Sequence, residues 1–337
     1  MDENENAINP EAFDALEKIE VPQSSHKRSR KSSPDDDESP ASQCTIDKSK
    51  TSFYLRLPRA LMVNLICAML IFEKLALQFK VDKETGKAYM ISVFQHNTSV
   101  IQTTRLDQDE IEKAGGEFVV NTPVNVGFQP LKLWQLLSKT ASHISTIELC
   151  QMMTKDDTAG HFEASLRVVI GAWDHFLSLL PLDAYRHQRP EQYPIDASYV
   201  FDPSGLLSNL TQAKNVPTNV RSAREMQIVL EFNDEGVQLG TARNVADPNS
   251  RSTVLLAHGE SKRKRNCDTS SIKSINTFVK PVSQIFDLKL LQAIIKPSSL
   301  LTNEILVEVA NDKPMQISYS FPGGKTRLYL ADQIGIE

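Results

Sequence analysis

Residues Ile305–Ile334, ILVEVANDKPMQISYSFPGGKTRLYLADQI, carry the clearest strand pattern in the chain. Apolar and polar residues alternate over 305–309 and again over 315–319, and this alternation indicates half-buried strands. Turn residues separate the segments, with Asn-Asp-Lys at 311–313 and Pro-Gly-Gly at 322–324. The stretch therefore predicts an antiparallel meander.

A short amphipathic helix is predicted in front of this meander, at 287–296, because Leu288, Leu291 and Ile295 share one face. The unit of strand, helix and meander recurs along the chain at intervals of roughly 70–80 residues. Its opening strands and helices are predicted at 52–56 and 58–73, 118–120 and 130–140, 198–201 and 205–214, and 278–285 and 287–296. This repetition predicts an α+β fold of two similar domains, each made of two strand–helix–meander repeats.

Composition divides the chain into four regions. Residues 1–50 are rich in Ser, Asp, Glu and Asn without apolar periodicity, which is typical of a disordered tail. The segment 183–196 is polar and rich in proline, and it predicts an interdomain connecting loop. The first domain is then predicted at 51–182 and the second at 197–337.

The net charge of −5 arises in the tail, whose 50 residues contain 12 acidic and 7 basic side chains. The remaining 287 residues carry 30 of each sign, so any contact with nucleic acid must come from a local basic face. The basic run 27–31, beside Ser-Ser-Pro at 32–34, is interpreted either as a nuclear-import signal next to phosphorylation sites or as part of a solvated polyampholyte.

The cysteine pattern and the apolar runs exclude several classes of protein. The four cysteines are scattered without a CxxC pair, so a zinc ribbon or a disulfide scaffold is not expected and a reducing compartment is. The most apolar run, 61–72, spans about a dozen residues where a membrane span needs about 20. We therefore expect a buried core helix there, no signal peptide and no membrane partner.

An enzyme is the first competing class. Gly-Gly-Lys-Thr at 323–326 resembles the end of a phosphate-binding loop, but Tyr319 stands where that motif requires glycine. The sequence contains no GxSxG or HExxH, and its seven histidines are dispersed. We expect no catalytic residues, no metal ligands and no cofactor, and an enzyme acting on nucleic acid is the least favoured function.

Several local strings carry a family resemblance. They are Asp202-Pro203-Ser204-Gly205 at the third helix, Asp234-Glu235-Gly236-Val237-Gln238-Leu239 at a turn, Pro190-Glu191-Gln192 in the connector, Pro314 with Tyr319, and Tyr329-Leu330-Ala331. In order and spacing they resemble the proliferating cell nuclear antigen family, the DNA sliding clamps of eukaryotes and their large DNA viruses. The resemblance covers about 52–334 and implies the DNA-clamp fold.

The function that this resemblance implies is topological. Three chains would close head to tail into a homotrimer around duplex DNA, independent of sequence, and tether a DNA polymerase and other proteins during DNA replication and repair. It further implies a clamp loader and localisation in the nucleus, or at a viral replication site. The competing interpretation keeps the fold but does not encircle DNA alone: a checkpoint-type heterotrimer subunit, a monomeric processivity subunit or a transcription scaffold.

Basic residues on the four long helices are expected to face the phosphates. They are Arg59, Lys132, Lys139, Lys214, Lys289 and Lys296. Asn64 and Leu65 stand in the first helix where the family would have lysines, so the basic face is thinner than usual. The alternative is that these side chains are ordinary solvated helix faces.

Edge strands are expected to pair between subunits. The candidate segments are 172–180 on one subunit and 252–257 on the next, with Trp173, Phe176, Val254 and Leu256 at the interface. The alternative places these residues in the core of their own domain.

The resemblance also implies an apolar pocket for partner peptides beneath the connector. The matching residues are Val93, Leu182, Pro314, Tyr329, Leu330 and Ala331. His187 and Arg189 replace aliphatic connector residues of the family, and Asp332 replaces a proline. A polar connector is expected to weaken an aromatic-anchored peptide or to favour an acidic one. For Pro314 and Tyr329, the alternative is plain strand packing.

Overall fold

The computed structural model describes residues 46–70, 72–96, 100–140, 143–152, 165–180, 192–214, 227–241, 252–257 and 271–332. Most of the predicted tail and the connector residues 181–191 lie outside this part of the chain. Leu182, His187 and Arg189 are therefore not described.

The chain forms eighteen described strands. In order they are β1 (Thr51–Pro58), β2 (Leu75–Val81), β3 (Ala88–His96), β4 (Val100–Asp107), β5 (Glu117–Val120), β6 (Val124–Phe128), β7 (Thr146–Met152), β8 (Ser165–Ile170), β9 (Trp173–Ser178), β10 (Ala197–Phe201), β11 (Gln227–Asn233), β12 (Gly236–Thr241), β13 (Ser252–Ala257), β14 (Ile272–Phe278), β15 (Val282–Asp287), β16 (Ile305–Val309), β17 (Met315–Phe321) and β18 (Gly324–Leu330).

In the described residues, five α-helices connect these strands, and a 3₁₀ turn, Lys48–Lys50, precedes β1. The helices are α1 (Arg59–Met69), α2 (Gln108–Lys113), α3 (Pro130–Ser138), α4 (Pro203–Lys214) and α5 (Leu288–Leu301). None of the helices in the described residues is long and apolar enough to cross a membrane.

The strands form three antiparallel sheets. Their orders are β5-β1-β7-β8-β9, then β14-β10-β16-β17-β18-β4-β3-β2-β6, and finally β13-β12-β11-β15. The chain runs through four units, opened by β1–α1, β6–α3, β10–α4 and β15–α5. The burial pattern of β2 over 75–80 recurs in β11 over 228–233. The predicted α+β fold of two similar domains, each with two strand–helix–meander repeats, is confirmed.

Two predicted strand assignments were wrong. The second unit opens with β6 and not with 118–120, because β5 pairs with β1 and closes the first unit. The alternation of Val124 and Val126 was the sequence signal for β6. The predicted strand 278–285 is two strands, β14 and β15, because the turn between them contains Pro281, which cannot donate to a ladder, and Val279, whose N–H donates to Asp196 O at 2.7 Å.

The last long helix extends beyond its predicted end at Lys296. A helix usually ends before a proline, yet α5 continues through Pro297 to Leu301. Pro297 is buried, and the hydroxyls of Ser298 and Ser299 donate to the carbonyls of Ile295 and Lys296 at 2.7 Å. The carbonyl that Pro297 leaves without an intrahelical donor is that of Ala293, four residues earlier. The short helix α2 was not predicted.

The core of the first domain is organised by an aromatic stack. The rings of Phe53 on β1 and Phe79 on β2 lie parallel, with centroids 3.5 Å apart and an interplanar angle of 8°. Phe118 on β5 meets Phe79 edge-on at 6.2 Å. All three side chains are fully buried, so they fasten the five-stranded sheet to the nine-stranded sheet.

The nine-stranded sheet joins the two domains, because β18 pairs antiparallel with β4. A buried polar network stands at this junction. Gln102 Nε2 donates to Ala68 O at 2.7 Å and to Thr104 Oγ1 at 3.2 Å, and the hydroxyls of Thr104 and Thr326 share a hydrogen bond of 2.9 Å. A slip of β18 by one residue along β4 would separate the hydroxyls of Thr104 and Thr326, so this pair specifies the register of the junction.

Thr326→Val is expected to lower the free energy of unfolding by about 1–3 kcal/mol, since it leaves a buried hydroxyl of Thr104 without its partner. Urea unfolding measures this loss. The double substitution Thr104→Val/Thr326→Val removes both partners and is expected to cost less than the sum of the two single changes. Strict additivity would show that the two hydroxyls are not coupled.

Both ends of the connector are fixed to the nine-stranded sheet. On the first-domain side, Leu180 N donates to Gly127 O on β6 at 3.1 Å. A Cβ at Gly127 would lie 2.4 Å from the carbonyl oxygen of Leu180, so this close approach requires glycine. On the second-domain side, Asp196 N donates to Val309 O and its carboxylate accepts from Asn311 N, both at 2.9 Å. The connector therefore leaves β6 and returns beside β16.

Candidate functional site

The four long helices lie side by side in the order α3, α1, α5, α4, with α1 in contact with both α3 and α5. On α5, Leu288, Leu291 and Ile295 face the core, as predicted. The opposite face presents Lys289 and Lys296, two turns apart, with Gln292 between them. Both lysines of α5 therefore lie on one accessible face of the helix layer.

The same spacing recurs on α3. Its accessible face carries Lys132, Gln135 and Lys139, the last at the C-cap, so lysine, glutamine and lysine again stand at positions i, i+3 and i+7. We call each set a lysine stripe: Lys132–Gln135–Lys139 on α3 and Lys289–Gln292–Lys296 on α5. Each stripe belongs to the second repeat of its domain. The stripes are about 10 Å long at 1.5 Å of rise per residue.

The helix between the stripes is different in character. After Arg59, α1 has no basic residue, and all its residues from Leu61 to Met69 are buried, including Asn64. Arg59 itself caps α3, since its guanidinium donates to Leu137 O at 3.0 Å and to Thr140 Oγ1 at 2.9 Å. The apolar α1 thus separates two basic stripes.

The described side chains on the accessible face of α4 carry no charge. It presents the hydroxyl residues Ser204, Ser208 and Thr211. Lys214 is the last residue of α4, and the structure does not describe its side chain.

The described sheets have six edge strands, each with a partner strand on one side only. Two of them are β9, which pairs with β8, and β13, which pairs with β12. Trp173 and Phe176 on β9 are 68% and 62% exposed, so neither belongs to the core of this chain. Val254 and Leu256 lie on β13, and their side chains are not described.

An apolar patch lies on the outer face of the nine-stranded sheet, opposite the helices. Val93 on β3 and Tyr329 on β18 are buried on this face, and Ile101 on β4 pairs with Tyr329. Tyr193, at the end of the connector, donates its hydroxyl to Pro314 O. Burial raises the pKa of Tyr193 to about 12, with Tyr329 and Glu308 contributing in the same direction. The hydroxyl therefore stays protonated as a donor, and it ties Tyr193 to the residue before β17.

Solved structures with a similar architecture include two proliferating cell nuclear antigens. The proliferating cellular nuclear antigen of Entamoeba histolytica superimposes with a TM-score of 0.62 at 14% identity, over 84% of this chain and all of the other. A PCNA of A. fulgidus bound to the C-terminal region of FEN-1 gives 0.59 at 13% identity, over 85% of this chain and all of the other. The chain has the DNA-clamp fold. No protein-family model matches the sequence, and no curated protein matches it.

The clamp fold brings the predicted pocket residues together only in part. Val93 and Tyr329 lie in this apolar patch, Tyr193 contacts Pro314, and Ala331 follows β18 directly. Leu330 is fully buried with the core cluster on the helix side of β18, so it lies behind the patch. Leu182 lies outside the described residues.

Asp332 has a role that sequence reasoning missed. Its carboxylate accepts a hydrogen bond of 3.0 Å from the backbone N–H of Ile285 on β15, an edge strand of the four-stranded sheet. Where the clamp family would have a proline, this chain uses an acceptor to tie the segment after β18 to that edge. The replacement itself was visible in the sequence, but the distant N–H that it satisfies was not.

Proposed function

We propose that the chain is a non-catalytic DNA sliding clamp. Three copies close head to tail around duplex DNA, without reading sequence, and tether a DNA polymerase and other proteins that carry clamp-binding peptides. The ring works with a clamp loader in replication and repair, in the nucleus or at a viral replication site. One observation carries this proposal: β9 and β13 correspond, through the internal repeat, to β18 and β4, which pair inside the chain, and within the described residues β9 and β13 are edge strands.

The internal repeat relates the two pairs of strands. The β17–β18 hairpin turns at Phe321–Gly324 and the β8–β9 hairpin at Ile170–Trp173, which makes His175 the counterpart of Thr326. The shared burial pattern matches Phe79 with Phe232. The strand pairings then lead from Phe79 through β2, β3 and β4 in one domain, and from Phe232 through β11, β12 and β13 in the other.

These pairings make Val254 the counterpart of Thr104. Because Thr326 lies opposite Thr104 within the chain, His175 of one subunit should lie opposite Val254 of the next. The neighbouring pairs are then Asp174 with Leu255 and Phe176 with Thr253. A contact between two different surfaces generates a ring when the rotation between subunits closes. The accessible Trp173 and Phe176 on β9 are the side chains that such an interface would cover.

The test of this register is a disulfide. Directly opposite residues of an antiparallel pair have Cα atoms about 4.5–5.5 Å apart, within disulfide range. With Cys44 and Cys267 changed to serine, His175→Cys/Val254→Cys is expected to form covalent dimers and closed trimers on non-reducing gels. Burial raises the pKa of Cys67 to about 12 and of Cys150 to about 11, so both remain unreactive thiols at pH 8.

The matched control is His175→Cys/Leu255→Cys, in which the second cysteine points to the other face of the sheet. It is expected to give little cross-linking. Equal yields from both pairs would refute the register. Light scattering on the full chain completes the test: a mass three times 37.7 kDa is expected, and a monomer at every concentration would exclude the homotrimer.

The apolar face of α1 favours the second candidate, a clamp-fold subunit that does not encircle DNA alone. An inner helix without lysines gives phosphates fewer contacts than a basic one. In that case the chain is a checkpoint-type heterotrimer subunit, a monomeric processivity subunit or a transcription scaffold. A monomeric chain that still stimulates a polymerase, or that assembles with two different chains, would establish this candidate over the first.

A further inference from the structure

Residues 46–50 of the predicted tail are described, and they lie against the five-stranded sheet. A small apolar cluster on this sheet, separate from the main core, contains Ile46 with Tyr54 of β1, Cys150 of β7 and Val169 of β8. Phe53, directly before Tyr54, belongs to the main core, so the cluster lies on the opposite, outer face of the sheet. The tail therefore reaches β1 over the outer face of the first domain.

Polar contacts fix the place where the tail meets β1. The side-chain amide of Asn121 donates to the carbonyls of Lys48 and Thr51, both at 2.8 Å. The ammonium of Lys48 lies 4.8 Å from the centre of the Tyr54 ring and 2.5 Å from a carboxylate oxygen of Glu117 on β5. The turn Lys48–Lys50 is thus tied to β1 and β5, and the chain in front of it starts from a fixed position.

The internal repeat makes the start of β1 the counterpart of the start of β10. With His175 at the position of Thr326, the strand pairings lead through β8, β7 and β1 in the first domain. In the second domain they lead through β17, β16 and β10. Counting the β-bulge that follows Thr51, these pairings place Thr51 at the position of Ser198.

Ile46 then stands where the connector ends. It precedes Thr51 by five residues, as Tyr193 precedes Ser198. Both side chains are anchored on their own sheet, Ile46 in its apolar cluster and Tyr193 through its hydroxyl on Pro314 O. The residues in front of Ile46 therefore correspond to the connector itself.

The connector has its ends on opposite sides of the junction between β4 and β18. It leaves from Leu180, which is bonded to Gly127 on β6, and it arrives at Asp196, which is bonded to Val309 on β16. In the order of the nine-stranded sheet, β4 and β18 lie between β6 and β16. The corresponding junction in the proposed ring is that of β9 with β13 of the next subunit.

An accessible apolar side chain lies between Ile46 and that junction. Tyr54, Cys150, Arg167 and Phe176 stand directly opposite one another in successive strands, so they share the outer face. Phe176 is 62% exposed on β9, one strand beyond the apolar cluster. A segment that continues from Ile46 toward the edge of the sheet would cover it.

We propose that residues 37–45 of each subunit cross the junction between its own β9 and the β13 of the next subunit, on the outer face of the ring. They lie over Phe176 and then over β13 and β12 of the neighbour, and so they form a connector between subunits. This placement rests on the proposed function, because β9 meets β13 only in the assembled ring. Residues 37–45 lie outside the described part of the chain, and their partner is a second copy of the chain.

The length of the tail allows this crossing. Three strand spacings separate β8 from β12 of the next subunit, about 14 Å in all at ~4.8 Å each. An extended chain covers that distance in about four to five residues. Ala41, five residues before Ile46, is therefore expected to lie near β12 of the next subunit.

A second copy of the chain fits these observations better than DNA does. The tail meets the sheet on the face opposite the helix layer that carries the lysine stripes. Residues 35–38, Asp-Asp-Asp-Glu, would be repelled by phosphates. The tail is therefore assigned to the outside of the ring.

The test is a disulfide between the tail and the next subunit. In the full chain with Cys44 and Cys267 changed to serine, Ala41→Cys is combined with Gln238→Cys on β12. Gln238 is half-buried on the outer face, because Val237 beside it belongs to the main core. Covalent dimers and closed trimers are expected on non-reducing gels.

The matched control is Ala41→Cys/Gln78→Cys. Gln78 is also a half-buried glutamine on an outer face, but it lies on β2 of the first domain, away from the proposed path. It is expected to give little cross-linking. Equal yields from the two pairs, no cross-link with Gln238→Cys, or a disulfide closed within one chain would each overturn the placement.

Subunit exchange measures what the segment does for the ring. Replacing residues 37–45 by a Gly-Ser stretch of equal length is expected to speed exchange between labelled rings about fivefold, because losing a contact acts mainly on dissociation. The same replacement at 3–11 is the control and should leave the exchange rate unchanged. Equal rates for the two variants would contradict a connector between subunits.

The proposed clamp function fails separately, through a monomeric mass and the absence of the cross-link between positions 175 and 254. A trimer that forms this cross-link, but not the one between positions 41 and 238, would refute the connector between subunits alone.

Discussion

Reversing the charge of Lys289 and Lys296 together is expected to lower retention on duplex DNA by at least tenfold, without unfolding the protein. Both side chains lie on the accessible face of α5, away from the core contacts of Leu291 and Ile295. A ring of three chains would lose about six phosphate contacts. The slope of log K against log salt should then become shallower by about five.

The control for this change is Lys83→Glu/Lys313→Glu, which alters the net charge equally at two accessible turn positions away from the helix layer. It is expected to retain DNA as the unaltered chain does. Retention is measured on a circular duplex, from which a closed ring cannot slide off, across a salt series. An unchanged salt slope for the α5 variant would refute the assignment of α5 to the DNA-facing wall.

Phe79→Ala is expected to lower the free energy of unfolding by about 3–5 kcal/mol, since the ring is fully buried against Phe53 and Phe118. Phe79→Leu keeps most of the volume and is expected to cost about 1 kcal/mol. The measurement is denaturant unfolding followed by circular dichroism.

The same experiment tests how the domains are coupled. Phe232→Ala removes the counterpart ring of the second domain, which lies 5.4 Å from Tyr199. Because one nine-stranded sheet spans both domains, each variant is expected to shift a single transition. A second transition that appears in Phe79→Ala alone would show that the domains unfold independently, despite the junction of β18 with β4.

The repeat was predictable because its signals are local. Alternation along β16 and β17, the turn residues at 322–324 and the apolar face of α5 all follow from neighbours in sequence. The errors occurred where a distant group decides the outcome. The pairing of β5 with β1, for example, is a contact over more than fifty residues.

The candidate site was predictable to a lesser degree. The spacing of Lys289 and Lys296 places them on one face by helical geometry alone, and the structure exposes that face. The hydrogen bond from Arg59 to the end of α3 forms because α3 lies beside α1. No local sequence pattern shows which helices are neighbours.

The edges of β9 and β13 that have no partner within the described residues also bear on the behaviour of a single chain. A strand edge of this kind beside accessible aromatic residues, here Trp173 and Phe176, is a template for non-specific aggregation. No proline interrupts either strand, and β13 carries no charged residue that would discourage a wrong neighbour. In the proposed homotrimer both edges would be paired, so assembly would remove this template from the surface.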